Sequence, residues 1–454
     1  MNREEYLNAV VNQIRCKQAR DRVKEEIENH IEDQAKAYVE MGIEAKEAEQ
    51  KAVREMGDPV EAGVSLDQIH RPQMAWQVLA LIGVISVVSI VLQYFLNKNY
   101  VREGSYYFSH QLIYIITGFC VMLGIYFIDF SIIGRYAKEI GIVFCAMLFI
   151  SVFFIAIRVN GAAAFLRVGP LAVSLKLFIY LYVPVYGAIL YQYRGEGYGA
   201  LVKAVLWLLL PVGMAIQMPS MSTAFNLFLM MFLLLTVAIA KNWYGIHKKL
   251  VLTAAWGAVV VFPVTTISLM LNNQKTIFPE YQSQRVQTFF APDPETYGYQ
   301  IANVRAIVGS SRMVGSNDSG IQAYERLTYI NSDYLLTHII SYYGIIAAIG
   351  IVLLLIVLIE KIFRISMMQK NQMGMMMGLG CGLVLSIQAA AFILQNIGLY
   401  PTTTVFLPLF SFGGTGTLVS YMLLGMLLSI YRYQNIPSAK TRKKKRLKIT
   451  FVDN

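Results

Sequence analysis

Ten blocks of apolar residues run along positions 74–431, most of them about 20 residues long and continuous rather than alternating. About 20 apolar residues are what an α-helix needs to cross a hydrocarbon core of about 30 Å. Lipid offers backbone amides no partner, so such blocks must be helices or strands of a closed barrel, and unbroken apolarity selects helices. The predicted spans are Met74–Leu96, Gln111–Phe130, Ile140–Ile157, Leu171–Leu190, Ala200–Ile216, Ser222–Ala240, Leu250–Leu271, Tyr334–Ile359, Met373–Ile397 and Thr417–Tyr431. The pattern therefore predicts an all-α, polytopic membrane protein with about ten transmembrane helices.

Residues 1–72 carry no such block and read as a small soluble domain of three or four short helices. One helix ends at Gly42, a natural C-cap, and another covers 44–56 with Ala45, Ala48, Ala52 and Met56 at helical spacing. Met56-Gly57-Asp58-Pro59 stops it, and Asp58 is placed to cap a following helix that starts at Pro59. The run Glu25-Glu26-Ile27-Glu28 reads as a solvated helix face. The membrane domain then extends over 73–435, and 436–454 form a basic tail.

One connection differs from the others. Residues 272–333, between spans seven and eight, make a polar segment of roughly sixty residues, long enough to suggest function or disorder. Its aromatic residues Tyr281, Phe289, Phe290, Tyr297 and Tyr299 argue for partial order.

Composition and charge agree with a membrane chain. Of the 454 residues, 56% are hydrophobic and only 15% charged, against about 25% charged in a typical soluble protein. Residues 1–72 hold 11 basic and 16 acidic side chains, while the remainder holds 28 and 12. Arg135, Lys138, Arg194, Lys203, Lys241, Lys248, Lys249, Lys361, Arg364 and Lys370 fall in one set of short loops, and only Lys98, Arg102, Arg158 and Arg167 in the other. This asymmetry places the first set and both termini in the cytoplasm, and the 272–333 loop outside. The tail Lys440–Lys448 fits contact with anionic lipids. No basic stripe lies on a soluble domain, so no nucleic-acid partner is expected. The N-terminus is too charged for a cleavable signal peptide, so the first span is expected to serve as insertion signal. The four cysteines, Cys16, Cys120, Cys145 and Cys381, have no metal-ligand spacing and read as core fillers.

No nucleotide-binding glycine loop, zinc signature or serine elbow is present, which argues against an ATP-driven pump, a metalloprotease and an elbow-type hydrolase. The candidate chemistry rests on polar residues at the membrane edge, which are expensive there. Asp333 sits where the long loop enters an apolar helix, and helical steps from it reach Thr337, Ser341 and Gly344. Partial desolvation would raise its pKa toward that of a general base, whereas a carboxylate settled by the helix dipole is the alternative. Lys176 suits an anionic headgroup or pyrophosphate, or a lysine snorkelling to the interface. Arg285, Arg305 and Arg312 offer the same choice between phosphate and solvent. Gly374, Gly378 and Gly382 form a small-residue repeat for helix packing. Ser411-Phe-Gly-Gly-Thr-Gly416 breaks the helical pattern before span ten, and such a segment is tolerated only where it is buried in protein or lines a cavity.

At these residues the sequence resembles a family. TVFLPLFSFGGTGT (404–417) is similar to the LPxxSxGGS signature of the SEDS proteins, the FtsW/RodA/SpoVE proteins of shape, elongation, division and sporulation. YQSQRVQTFFAPDPETYGYQ (281–300), with Arg285, Pro292 and Gln300, resembles the opening of that family's large external loop. NSDYLL (331–336) resembles its TDFIF motif and places the catalytic aspartate at Asp333. PSMSTA (219–224) and NGAAAFLRVG (160–169) resemble PDLGTA and GAxRWxxxG. Residues 1–72 resemble a small prefix domain found ahead of several Gram-positive membrane proteins.

The resemblance implies a peptidoglycan glycosyltransferase of the cytoplasmic membrane that polymerises lipid II beside a class B penicillin-binding transpeptidase. On that reading Asp333 is the base or a metal ligand, and Lys176 and Arg285 meet the pyrophosphate. Gln300, Ser411, Gly413 and Gly414 line the substrate site, and a divalent cation (Mg or Mn) screens the leaving phosphates. The chain also departs from the pattern. Ala164 and Phe165 replace Arg-Trp, Leu177 and Tyr180 fall at a glutamate and a lysine, Ser220 replaces an aspartate, and Ser341 and Tyr342 replace paired glutamates. A non-catalytic scaffold or regulator of a cell-wall complex, or a transporter of a lipid-linked precursor, therefore remains as an alternative.

Overall fold

Each predicted block forms a helix long enough to cross a bilayer: Trp76–Asn97, Ser105–Phe127, Ala137–Ile155, Leu175–Gln192, Tyr198–Gln217, Met221–Ala240, Lys248–Leu269, Ile345–Met367, Gln372–Asn396 and Gly414–Arg432. They are seen in a computed structural model that describes residues 1–98, 103–159, 162–168, 171–218, 220–271, 287–292, 298–316 and 323–435. Arg285, Tyr281, Tyr297 and the basic tail from 436 lie outside the described residues. The chain divides into two compact units, Met1–Met74 with the described residues from Arg432 on, and Ala75–Tyr431.

In the membrane unit the fourth, sixth, ninth and tenth spans are the most buried, while in each of the other six a third or fewer of the residues are buried, as in lipid-facing helices. Glycines bring the central helices together. A Cβ on Gly187 of span four would meet the Met376 carbonyl of span nine at 2.7 Å, and one on Gly380 would meet Pro184 Cα at 2.8 Å. Gly378 and Gly382 of the predicted repeat face Ser366 and Ile362 of span eight, so close packing accounts for them. Cys145 and Cys381 are buried as expected, but Cys120 is exposed on the second span and fills no core.

Two local features differ from the sequence pattern. The block 334–359, expected as one helix, is two: a short helix Leu335–Tyr343 and then span eight, broken at Gly344. Gly344 has φ +93° and ψ 173°, a region almost closed to other residues. The break is held from a distance: the Gly315 N–H donates to the Tyr343 carbonyl at 3.0 Å, and the Ile345 and Ile346 N–H groups donate to the Arg312 and Met313 carbonyls, each at 3.1 Å. The stretch before span four, expected to be helical from Leu171, starts instead as the last strand of an antiparallel sheet. Its strands are β1 (Ile157–Val159), β2 (Ala162–Val168) and β3 (Leu171–Ser174), in that spatial order, with Phe165 opposite Ser174 and Val168 opposite Leu171.

The long connection between spans seven and eight is partly ordered among the described residues. Helix Tyr299–Gly309 and the helical turn Ala323–Arg326 enclose Val304, Ile307, Ala323, Leu327, Ile330 and Tyr334 in a small apolar core.

The N-terminal unit holds four helices: α1 (Arg3–Gln13), α2 (Lys17–Glu40), α3 (Ala45–Glu55) and α4 (Pro59–His70). Asn2 and Glu5 form a reciprocal capping box on α1. Gly42, at φ +93°, follows the end of α2. Asp58 caps α4 by accepting the Val60 and Glu61 N–H groups at 2.7 and 3.0 Å, as the sequence predicted. Tyr6, Leu7 and Val10 pack on Val23, Ile27 and Ile31 of α2, and Ala52 of α3 closes the core. Asp67 is buried in α4, where it accepts the Arg15 N–H at 2.8 Å and the Arg71 guanidinium at 3.1 Å. Past the last span, Asn435 offers its carbonyl to His70 Nδ1 at 2.7 Å, and Gln434 donates to Gln73 at 2.7 Å.

Candidate active site

Asp333 lies in a tight turn, one residue before the N-cap of helix Leu335–Tyr343, and not on the helix itself. Tyr329, at φ +58°, sets the turn: its carbonyl accepts the N–H groups of Ser332, Asp333 and Tyr334 at 3.1, 3.0 and 3.3 Å.

The backbone on either side of the carboxylate is fixed at three consecutive carbonyls. The Asn331 carbonyl accepts the Phe412 N–H at 2.9 Å. The Ser332 carbonyl accepts the Ser411 hydroxyl at 3.1 Å. The Asp333 carbonyl accepts Asn396 Nδ2 at 2.9 Å and Gln395 Nε2 at 3.4 Å. Each holder is fixed in turn. Ser411 Oγ accepts the Leu407 N–H at 2.8 Å, Gln395 Oε1 accepts the Thr403 N–H at 2.8 Å, and Asn396 Oδ1 accepts the Thr337 N–H at 2.9 Å. Asn331 is itself buried and pairs reciprocally with Asn97 of span one, at 2.9 and 3.4 Å.

The carboxylate is treated differently from its backbone. It is half-buried and forms no hydrogen bond or ion pair with the described residues. Burial without a counter-charge pushes its pKa up to about 7, because leaving water disfavours the ionised form. Five residues on, His338 is 4% exposed and its Nδ1 has no partner among the described residues. Burial pushes that imidazole down to about 4, so it is neutral at pH 7.

The segment 401–413 between spans nine and ten is irregular and largely buried, as its broken pattern predicted. Gly413, at φ +152°, has no atom within 4 Å of where a Cβ would stand, whereas Gly414 is approached by the Tyr114 ring at 3.1 Å. Phe412 sits against Tyr107 and Tyr114, with centroids 4.8 and 5.7 Å away. Thr415, in the first turn of span ten, accepts the Ser174 N–H at 2.9 Å, so β3 is tied to the start of that span two residues before the half-buried Lys176.

Gln300 also reaches the turn: its Nε2 donates to Thr328 Oγ1 at 3.0 Å, while its buried Oε1 has no partner among the described residues. The structure thus ties Ser411 to the carbonyl of the residue before Asp333 and Gln300 to Thr328, five residues before Asp333, with Gly413 ending the segment of Ser411 and Gly414 opening span ten. Ser411 uses its hydroxyl on protein groups in both directions, so its geometry is that of a positioning residue. Asn396, Gln395, Asn331 and Asn97 were not singled out from the sequence; the available signal was their place as polar residues at the ends of apolar blocks. Arg305, a phosphate candidate, instead donates to the Gly398 carbonyl at 3.1 and 2.9 Å and to the Phe289 carbonyl at 3.2 Å.

No three His, Cys, Asp or Glu side chains gather in a metal-binding group among the described residues. A single carboxylate does not make a resident metal site. It fits a divalent ion that arrives on a substrate's phosphates, where one protein carboxylate is a common complement.

The chain is similar to known proteins in sequence and in fold. A family model described as "Cell cycle protein" (FtsW/RodA/SpoVE) matches residues 72–436. A protein of Mesostigma viride, provisionally assigned as a peptidoglycan glycosyltransferase FtsW, is 26% identical over 345 residues, covering 72% of this chain and 76% of its own. The "Probable peptidoglycan glycosyltransferase FtsW" of Wigglesworthia glossinidia brevipalpis is 23% identical over 360 residues, covering 77% and 90%. In fold, a chain described under "Structural coordination of polymerization and crosslinking by a peptidoglycan synthase complex" matches with a TM-score of 0.62 at 18% identity, over 80% of this chain and 99% of that one. The rod shape determining protein RodA of Thermus thermophilus matches with a TM-score of 0.54 at 16% identity, over 80% and 97%. With ten spans in this order and a family match across all of them, the chain belongs to the FtsW/RodA/SpoVE family of polytopic membrane proteins.

Proposed function

We propose that this protein is a peptidoglycan glycosyltransferase that polymerises lipid II, with Asp333 as its general base. The observation that carries the reading is the contrast at Asp333: a backbone held at three successive carbonyls and a carboxylate without a partner among the described residues. A group fixed in place, unpaired and poised near neutrality is suited to accept a proton. In the step, an acceptor sugar hydroxyl oxygen bonds to the donor's anomeric carbon and gives its proton to Asp333. The bond from that carbon to the pyrophosphate oxygen breaks, and its electron pair leaves on undecaprenyl pyrophosphate. Lys176 and Arg285 are the cations proposed for the phosphates. Gln300, Ser411, Gly413 and Gly414 shape the wall beside the carboxylate, and any Mg or Mn ion arrives with the pyrophosphate.

The charge asymmetry of the short loops supports both termini in the cytoplasm; in that orientation Asp333 would lie at the outer face of the cytoplasmic membrane, where lipid-linked sugars are displayed. The partner proposed is a class B penicillin-binding transpeptidase, which would crosslink the new glycan. The tail Lys440–Lys448 would lie on anionic lipid, and the prefix-like N-terminal unit suggests a Gram-positive cell.

A second reading, a non-catalytic scaffold, is favoured by one observation: Tyr180, Ser220, Ser341 and Tyr342 are neutral where the family pattern has charges. The two readings separate in a reconstituted assay. Protein with its transpeptidase and lipid II should give glycan chains, and Asp333→Ala should give none. Normal polymer from Asp333→Ala overturns the site. No polymer from the wild type, together with full rescue of a deletion strain by Asp333→Ala, selects the scaffold.

A further inference from the structure

A second polar cluster lies inside the helix bundle, away from the described carboxylate. Tyr180 of span four, Thr223 and Asn226 of span six and Gln388 of span nine are each at most 3% exposed. Tyr400, on the segment after span nine, donates to Asn226 Oδ1 at 3.1 Å, and Thr223 pairs with Ser220 at 2.8 Å. The rest are orphaned. Tyr180 Oη faces Gln388, Thr223 and Asn226 but closes a hydrogen bond with none of them, and Asn226 Nδ2 and both polar atoms of Gln388 are likewise unpartnered among the described residues.

Leaving four such atoms buried and unpaired costs about 1–3 kcal/mol each, and polar groups gathered just beyond direct contact are commonly bridged by water. The chemistry of the orphans selects the ligand. Asn226 Nδ2 and Gln388 Nε2 only donate, Gln388 Oε1 only accepts, and the Tyr180 hydroxyl does either. An anion would satisfy the donors alone and a cation the acceptors alone. A neutral molecule that both donates and accepts satisfies all four.

We propose that Tyr180, Asn226, Gln388 and Tyr400 form a bound-water site, holding about two waters at about three hydrogen bonds each. Gln388 lies eight residues before Asn396 on the same helix, which puts the site about 12 Å along that helix from the contact to Asp333. Its waters join spans four, six and nine to the segment that leads to Ser411. This site is independent of the polymerase reading.

The test is X-ray hydroxyl-radical footprinting of the full chain in nanodiscs, where bound water generates radicals at the side chains it touches. Tyr186 is the internal control: it is equally buried, and its hydroxyl is paired with the Ala204 carbonyl at 3.2 Å. In the wild type, Tyr180 should be modified several-fold faster than Tyr186. In Gln388→Met, which keeps volume and removes a donor and an acceptor, the Tyr180 rate should fall to that of Tyr186. Equal rates in the wild type overturn the proposal, and that comparison stands even if the variant fails to fold. A Tyr180 rate that changes when sodium is replaced by choline overturns it in favour of a cation.

Discussion

Asn396 and Asp333 are joined by the chain rather than by the charge: the Asn396 side-chain amide donates to the Asp333 carbonyl at 2.9 Å, and the carboxylate is left open. The same amide accepts the Thr337 N–H at 2.9 Å, so one side chain from span nine fixes both the turn and the first turn of the helix after it. Rigid support of this kind places a reacting group without using up its hydrogen-bonding capacity.

Removing that support should cost both stability and activity. Asn396→Ala leaves the buried Thr337 N–H unsatisfied and the Asp333 carbonyl with only the longer Gln395 bond, a loss of roughly 1–3 kcal/mol. Asn396→Asp keeps the acceptor for Thr337 and loses the donor to Asp333. Polymerisation and apparent Tm measured on both variants should show Asn396→Asp nearer the wild type in Tm than in turnover. Equal retention of turnover in all three proteins would remove Asn396 from the positioning of Asp333.

The raised pKa of Asp333 has a definite sign. The folded value of about 7 lies above the unfolded value of about 3.9, so the unfolded chain ionises first as pH rises. This group therefore makes the fold less stable between about pH 4 and pH 7, with the full cost above that window. Asp333→Asn should raise the apparent Tm at pH 8 and leave it unchanged near pH 4. Polymerisation by the wild type should climb to a plateau above about pH 7. Parallel Tm curves for the two proteins across the window would show that burial leaves the carboxyl unperturbed.

Asp67 behaves in the opposite sense. The Arg15 N–H bonded to it, with the Arg71 guanidinium, holds its carboxyl below the usual carboxylate range. A depressed folded pKa gives stability that is present above the unfolded value of about 3.9 and is lost as pH falls through the folded one. Asp67→Asn should speed amide exchange in α1 and α4 at pH 7 by an amount equivalent to roughly 1–3 kcal/mol. At pH 3 the difference should narrow. Exchange by the variant identical to wild type at pH 7 would show that this carboxylate does not hold the unit together.

Gly344→Ala should be costly although it adds one methyl group. Its backbone region costs other residues on the order of 1–3 kcal/mol, and the new Cβ would meet the Met313 carbonyl at 2.7 Å. A fall in apparent Tm is expected, while Gly350→Ala, where a Cβ meets nothing within 4 Å, should be silent. Equal Tm values for the two variants would mean that the corner relaxes freely.

The spans were legible because apolarity over about 20 residues is a local property that needs no tertiary information. The Asp58 cap was legible for the same reason, since Asp58 and Pro59 act within one turn. Gly344 was not, because its corner is imposed by Arg312, Met313 and Gly315, about thirty positions earlier, and a lone glycine in an apolar run has no marker of its own. The sheet was hidden because β1 follows directly on the apolar end of span three and β3 merges with the start of span four. At the candidate site, motifs singled out Asp333, Gln300 and Ser411. Asn396 and Asn97 were missed because their importance lies in pairing with Asp333, Thr337 and Asn331, far away in the chain.

The corner at Gly344 also has a mechanical consequence. A continuous helix would transmit any tilt or vertical shift of its lipid-embedded part directly to residue 333. Here Tyr343, Ile345 and Ile346 are clamped to the 312–315 strap, and Thr337 is clamped to Asn396. The eighth span can then lean to match a thinner or thicker bilayer, while the acid keeps its height above the ninth.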